Sequence, residues 1–299
     1  MNDTGNPDAP AKVAVLDAPA CRLGEGPTFD AATGTAFWFD IKRKALFEMP
    51  RGATTPTIHA LPFMASALAV VDRERQLVFA EDGLHLRDAA TGRLTLHRPL
   101  EADKPQNRCN DARVHPSGAF WLGTMGKAAE REAGAIYWYR AGELRPLYER
   151  VGIPNSICFS PDGATGYFTD SQDHRLMRVP LDPATGLPLG DPEVLYDQRG
   201  EEGTLDGSVC DADGVIWNAR WGAGRLEAYS PQGKRIRSIE LPTRLTTCPC
   251  FIGDDLGRIL VTSASDELSE AELAADPNAG KTFVVDLPVR GRADPLVVL

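Results

Sequence analysis

Residues 206–220 read DGSVCDADGVIWNAR. Two short apolar runs flank the cluster CDADG, the pattern of two antiparallel strands joined by a tight turn that carries Asp and Gly. The same hairpin recurs along the chain. Its turn reads FDAATG from residue 29, VDRERQ from 71, VHPSG from 114, FSPDG from 159 and IGDDLG from 252. The second residues of the six turns are Asp30, Asp72, His115, Ser160, Asp211 and Gly253, at intervals of 42, 43, 45, 51 and 42 residues.

Each unit has the same order of parts. A strand precedes the turn, as in GEGPTF, NDARVH and NSICFS. A strand rich in aromatic and β-branched residues follows it, as in AFWFD, FWLGT and IWNAR. A third strand comes next, as in KALFEM, GAIYWY and GRLEAY, and a less regular fourth segment closes most units. Six four-stranded units of about 45 residues predict an all-β fold, a six-bladed β-propeller with four-stranded blades. An open solenoid would need polar end caps, and no unit has one. Residues 13–299 are expected to form a single propeller domain, with residues 1–12 a disordered tail. One helix is predicted within DELSEAELAADP (266–277), capped by Asp266 or Ser269 and stopped by Pro277.

The bulk numbers exclude several function classes. The 299-residue chain carries a net charge of −10, which lacks the basic footprint of nucleic-acid or anionic-lipid binding. No apolar run approaches the roughly 18–20 residues of a membrane span. MNDTGNPDAPAK has neither the basic nor the apolar region of a secretory signal, so a cytoplasmic location is expected. The six cysteines show no zinc-site spacing and read as buried small apolar residues in a reducing compartment.

In a propeller the first strand of each blade lines the central channel. Counting back five residues from the turn marker gives Glu25, Asn110, Asn155 and Asp206 in units one, three, four and five; Ser66 and Thr247 are the nearest polar residues in the other two. Each side chain alone reads better as bonding a strand end or loop backbone. Four polar residues at one repeat position favour a shared axial site whose oxygen donors suit a hard divalent cation, with zinc less well matched. None of the five histidines falls at this position, which argues against Ser–His–Asp chemistry. Trp38, Trp121 and Trp217 share a repeat position and read as packing between blades, and Asp211 and Asp213 as turn residues.

Several of these segments resemble the gluconolactonase and regucalcin (senescence marker protein) family. They are LGEGP at 23–27, CNDARVHPSGAFWLGTM at 109–125, IPNSICFSPDG at 153–163, LDGSVCDADGVIWNARW at 205–221 and TTCPCF at 246–251. The resemblance implies a propeller with one divalent cation in its channel (calcium, magnesium, manganese or zinc) and a small-molecule sugar lactone as substrate. It implies no nucleic-acid, membrane or protein partner. It assigns Glu25, Asn155 and Asp206 as metal ligands, Asp206 also as general acid/base, and Arg108 and Asn110 as substrate-binding residues. The chain departs from the regucalcin pattern at Ala128, where an acidic substrate contact would stand. The function so implied is hydrolysis of an aldonolactone to the open acid, with a metal-polarised carbonyl or metal-activated water. Two other readings are a non-catalytic metal-binding scaffold or sensor and a paraoxonase-like esterase. The second of these commonly needs the axial His that is missing here.

Overall fold

The computed structural model describes residues 11–299. Its strands form six antiparallel four-stranded sheets, so the predicted six-bladed propeller is the fold. The inner strands are Gly24–Asp30, Ala65–Val70, Asn107–Val114, Pro154–Phe159, Thr204–Cys210 and Thr246–Ile252. Each packs against the inner strands of the blades before and after it, and the sixth packs against the first, which closes the ring.

The ring is closed by chain ends far apart in sequence. The sixth blade takes its outer strand from the other end of the chain, Lys12–Val15, paired antiparallel with Phe283–Asp286 from Lys12↔Asp286 to Val15↔Phe283. Residues 1–10 of the expected tail lie outside the described residues. The C-terminal segment passes across the channel end opposite the cavity described below. Val297 N–H donates to Val70 O at 2.9 Å, Val298 N–H to Gly118 O at 2.9 Å, and Arg292 reaches Phe159 O at 3.2 Å.

Aromatic residues after the turns fill the space between blades. Trp38 and Trp121 are fully buried. Trp38 stacks on Phe47 at 5.2 Å, and Trp121 meets Phe159 edge-on at 5.3 Å. Truncating a tryptophan packed this way costs roughly 3–5 kcal/mol. All six cysteines are free and buried, and burial raises their thiol pKa values, as small apolar residues would show. The helix runs Glu270–Ala275 with Ser269 as its N-cap in a capping box with Glu272. Among the described residues no helix is long and apolar enough to cross a membrane.

One irregularity repeats in all six blades. The pairing of first and second strands slips between Glu25 and Thr28, Ala65 and Ala67, Cys109 and Ala112, Asn155 and Cys158, Leu205 and Ser208, and Thr246 and Pro249. These are β-bulges, which break the alternation of a strand and re-aim its side chains. Asn110 and Asp206 lie within their bulges, and Glu25 and Asn155 immediately precede theirs. In four of these strands the bulge region brings polar side chains, Glu25, Asn110, Asn155 and Asp206, to one cavity.

Candidate active site

Glu25, Arg108, Asn110, Asn155 and Asp206 all line one cavity of about 270 Å³ at the channel mouth. That is smaller than the roughly 300–1,000 Å³ of drug-sized sites and matches a single small ring. Every one of the five side chains is buried.

Glu25 sits on a bulge that only glycine can complete. Gly26 has φ +53°, and a Cβ there would fall 1.7 Å from Ser66 O in the next blade. The Gly26 N–H donates to Glu25 Oε2 at 3.1 Å. Asn155 is held by its neighbours: its Nδ2 donates to Ser171 Oγ (3.0 Å), and its Oδ1 accepts from Asn110 Nδ2 (3.0 Å). Ser171 in turn donates to Leu205 O at 2.7 Å, tying blade four to the strand that carries Asp206. The Asp206 backbone carbonyl accepts from Ser156 Oγ (2.6 Å) and Asn218 Nδ2 (2.9 Å). These fully buried donors fix the Asp206 bulge and leave its carboxylate facing the cavity.

Arg108 donates from one terminal nitrogen to Asn110 Oδ1 at 2.8 Å and to Cys109 O at 2.9 Å. Both bonds use the same terminal nitrogen, so the other terminal nitrogen of the guanidinium is left as a donor for a bound molecule. Burial lowers its pKa, opposed by the negative charge of Glu25 and Asp206.

The charge balance of the site is unusual. Burial raises the Glu25 pKa to about 8, and the neighbouring Asp111 pushes it further the same way. Burial likewise lifts Asp206 well above the usual carboxylate range, with Glu25 and Asp111 adding repulsion. Asp111 is raised to about 6, again by burial, although Arg113 beside it opposes the shift. Asp111 Oδ2 accepts from Ile157 N–H at 2.7 Å, while its Oδ1 is buried without a partner. Three mutually repelling buried carboxyl groups and an amide oxygen are the environment that a hard divalent cation would compensate. Among the described residues no three His, Cys, Asp or Glu side chains are placed together as a metal cluster. The donor set that fits a cation is therefore mixed: the carboxylates of Glu25 and Asp206 with the amide oxygen of Asn155.

Other residues at the site escaped the sequence reading. Asp111 directly follows Asn110 in sequence, but its position on a bulge, which brings its charge close to Glu25 and Asp206, is a tertiary property. Ser171, Ser156 and Asn218 hold the donors in place, and their signal was faint: small polar residues inside strands otherwise apolar. Lys42, Asp266 and Glu267 come to the cavity from loops, and Trp221 from the end of a strand. The aspartates of the DADG turn are elsewhere, as expected. Asp211 accepts from Asp213 N–H, Val215 N–H and Trp217 Nε1, each at 2.9 Å, and does not line the cavity.

Residues 23–265 match the SMP-30/Gluconolactonase/LRE-like region family. A Rhizobium meliloti (strain 1021) protein with a provisional sugar lactone lactonase name is 50% identical over 94% of this chain and 95% of its own. The 6-deoxy-6-sulfogluconolactonase of Pseudomonas putida is 33% identical, over 92% and 94%. The crystal structure of a calcium-binding protein, regucalcin, from Agrobacterium tumefaciens str. C58 superposes with a TM-score of 0.95 at 53% identity, over 97% of this chain and 98% of that one. The chain belongs to the SMP-30/gluconolactonase/LRE-like family.

Proposed function

We propose that this protein hydrolyses a sugar lactone, opening the ring to the aldonic acid, with one divalent cation held by Glu25, Asn155 and Asp206. The observation that carries the reading is the convergence of these donors with Arg108 and Asn110 on one monosaccharide-sized cavity. Relatives named for lactone hydrolysis support the reaction class. When bound, a cation supplies Lewis-acid polarisation of the ring carbonyl.

The residues of the chain then have distinct tasks. Arg108 and Asn110 orient the lactone, the arginine donating to its carbonyl oxygen or a ring hydroxyl as negative charge develops. Asp206 takes a proton from the attacking water, whose oxygen bonds to the carbonyl carbon. The C–O bond to the ring oxygen breaks, and Asp206 returns the proton to that oxygen. Burial, with repulsion from Glu25 and Asp111, raises the Asp206 pKa and so makes its carboxylate a stronger base.

A calcium-binding role without turnover is the competing reading, favoured by the name of the Agrobacterium structure. The Arg108 guanidinium lining the cavity beside the carboxyl groups, a cation that a bare ion site has no use for, favours a reacting ligand. Acid release from a panel of pentono- and hexonolactones separates the two readings. The protein is stripped by chelator and reloaded with calcium, magnesium, manganese or zinc. Turnover with at least one pair supports hydrolysis; cation binding with no turnover on any lactone supports the scaffold.

A further inference from the structure

Most polar groups lining the cavity are already engaged. Lys42 pairs with Asp266 at 3.4 Å, and Asp266 also takes Arg22 at 2.7 Å. Lys127 pairs with Glu81 at 2.6 Å. Asn110, Asn155 and Ser171 bond one another or backbone, and Glu25 and Asp206 face the axis. Glu267 is different. It lines the cavity, is exposed, and makes no ion pair or hydrogen bond with the described residues.

Its backbone is also atypical. Glu267 has φ +65°, a left-handed conformation that residues other than Gly, Asn and Asp seldom adopt. Fixed points on both sides impose it. Before it, Ser265 N–H and Asp266 N–H both donate to Arg22 O, at 2.9 and 2.8 Å. After it, Ser269 begins the helix in its capping box. Glycine would adopt this turn without strain, so a free carboxylate is carried here at a conformational cost.

Trp221 belongs to the same side of the mouth. It follows Arg220 in the second strand of blade five, bridges to Leu245, and packs with Leu268 against the cluster containing Leu23 and Ala264. The ring is half-buried, lines the cavity, and its Nε1 bonds to none of the described residues. The opposite side is lined by Ala128, Ala129 and Ile153, which bring no side-chain acceptor.

We infer that Glu267 and Trp221 form the subsite that recognises the sugar portion of the substrate. Glu267 accepts hydrogen bonds from ring hydroxyls, and Trp221 lays an apolar face along the C–H face of the ring. The inference rests on the hydrolytic reading for its substrate, a neutral polyhydroxylated ring. It places discrimination between hydroxylated and plain lactones on the blade-five and blade-six side of the mouth, opposite Ala128.

Steady-state kinetics on D-glucono-1,5-lactone and on δ-valerolactone, which has no hydroxyls, test it. E267Q keeps the shape and E267G also removes the backbone strain; both should lower the ratio of kcat/KM for gluconolactone over valerolactone about tenfold, through KM. W221A should lower it similarly, and W221F should restore most of the loss. Equal losses on both lactones, a loss in kcat alone, or an effect of E267G without one of E267Q would overturn the assignment. If the wild-type protein hydrolyses neither of these two lactones, the wider lactone panel decides the hydrolytic reading separately, and binding decides the subsite. Titration with 1,5-anhydro-D-glucitol must then quench the Trp221 fluorescence and bind about tenfold more weakly to E267Q. Absence of such binding rejects the subsite as well.

Discussion

Asn110 donates from Nδ2 to Asn155 Oδ1 across the boundary between blades three and four, at 3.0 Å, while its own Oδ1 accepts from Arg108 at 2.8 Å. One amide thus joins the guanidinium assigned to substrate to the amide oxygen assigned to the cation. Asn110 Nδ2 is also anchored to Pro154 O at 2.9 Å, so its orientation is fixed from both ends. N110A should therefore damage two properties together. Cation affinity should fall about tenfold, as when a partner holding a metal ligand is lost, and kcat/KM should fall further because Arg108 loses its support. Cation titration and lactone kinetics on the same preparation check this. A loss of kcat/KM with unchanged cation affinity would show that Asn110 acts on substrate alone.

Asp206 is assigned two tasks that a single substitution can separate. D206N keeps an oxygen donor but cannot accept a proton from water. It should retain cation binding, weakened by the lost charge, while kcat falls by about 10²–10⁴, the usual contribution of a general base. D206A should lose both. Cation binding measured by calorimetry beside turnover makes the comparison, and a D206N enzyme with near-wild-type kcat would assign the proton transfer to another group.

The sequence was legible where repetition fixed phase. Six turns at near-equal spacing gave the blade count, and one offset from those turns gave Glu25, Asn110, Asn155 and Asp206 without any contact being known. That offset brings the four to one cavity because each of their strands carries a bulge that begins five or six residues before the turn marker. The same bulge explains why Asp111 went unread: in a regular strand, Asn110 and Asp111 would point to opposite faces. Glu267 and Trp221 fell outside the periodic reading. Glu267 lies in the irregular 19-residue connection between the strands Arg258–Ser263 and Phe283–Asp286, and no spacing rule applies there. Closure of the ring by Lys12–Val15 was hidden because that strand pairs with a partner at the other end of the chain.

Gly207 marks how tightly the Asp206 bulge is packed. A Cβ at residue 207 would lie 2.3 Å from Cys248 Sγ and 2.6 Å from Cys248 Cβ in the next inner strand. Both strands belong to the ring around the channel, so neither can withdraw freely. G207A should destabilise the protein by ~1–3 kcal/mol through overpacking and displace the Asp206 carboxylate. Urea denaturation of the chelator-stripped protein measures the first effect, cation titration the second. Wild-type stability in G207A would mean that the bulge can open at little cost.

Cation binding should be linked to protons through the same carboxyl groups. With its pKa at about 8, Glu25 is largely protonated at pH 7 in the cation-free protein, and Asp206 is shifted in the same direction. A cation binds the carboxylate form, so binding at pH 7 should release about one to two protons, and affinity should rise with pH from about 6 to 8. Folding stability moves the opposite way without the cation. A carboxyl whose pKa is higher in the folded than in the unfolded chain stabilises the fold fully below the unfolded value. That stability is lost as pH rises through the folded value. The stripped protein should therefore weaken between about pH 4.5 and 8, and the gain in Tm on adding cation should be larger at pH 8 than at pH 5. Calorimetry in buffers of different ionisation enthalpy counts the protons, and E25Q should lower the count by about one. Proton release unaltered in E25Q would remove Glu25 from the ligand set.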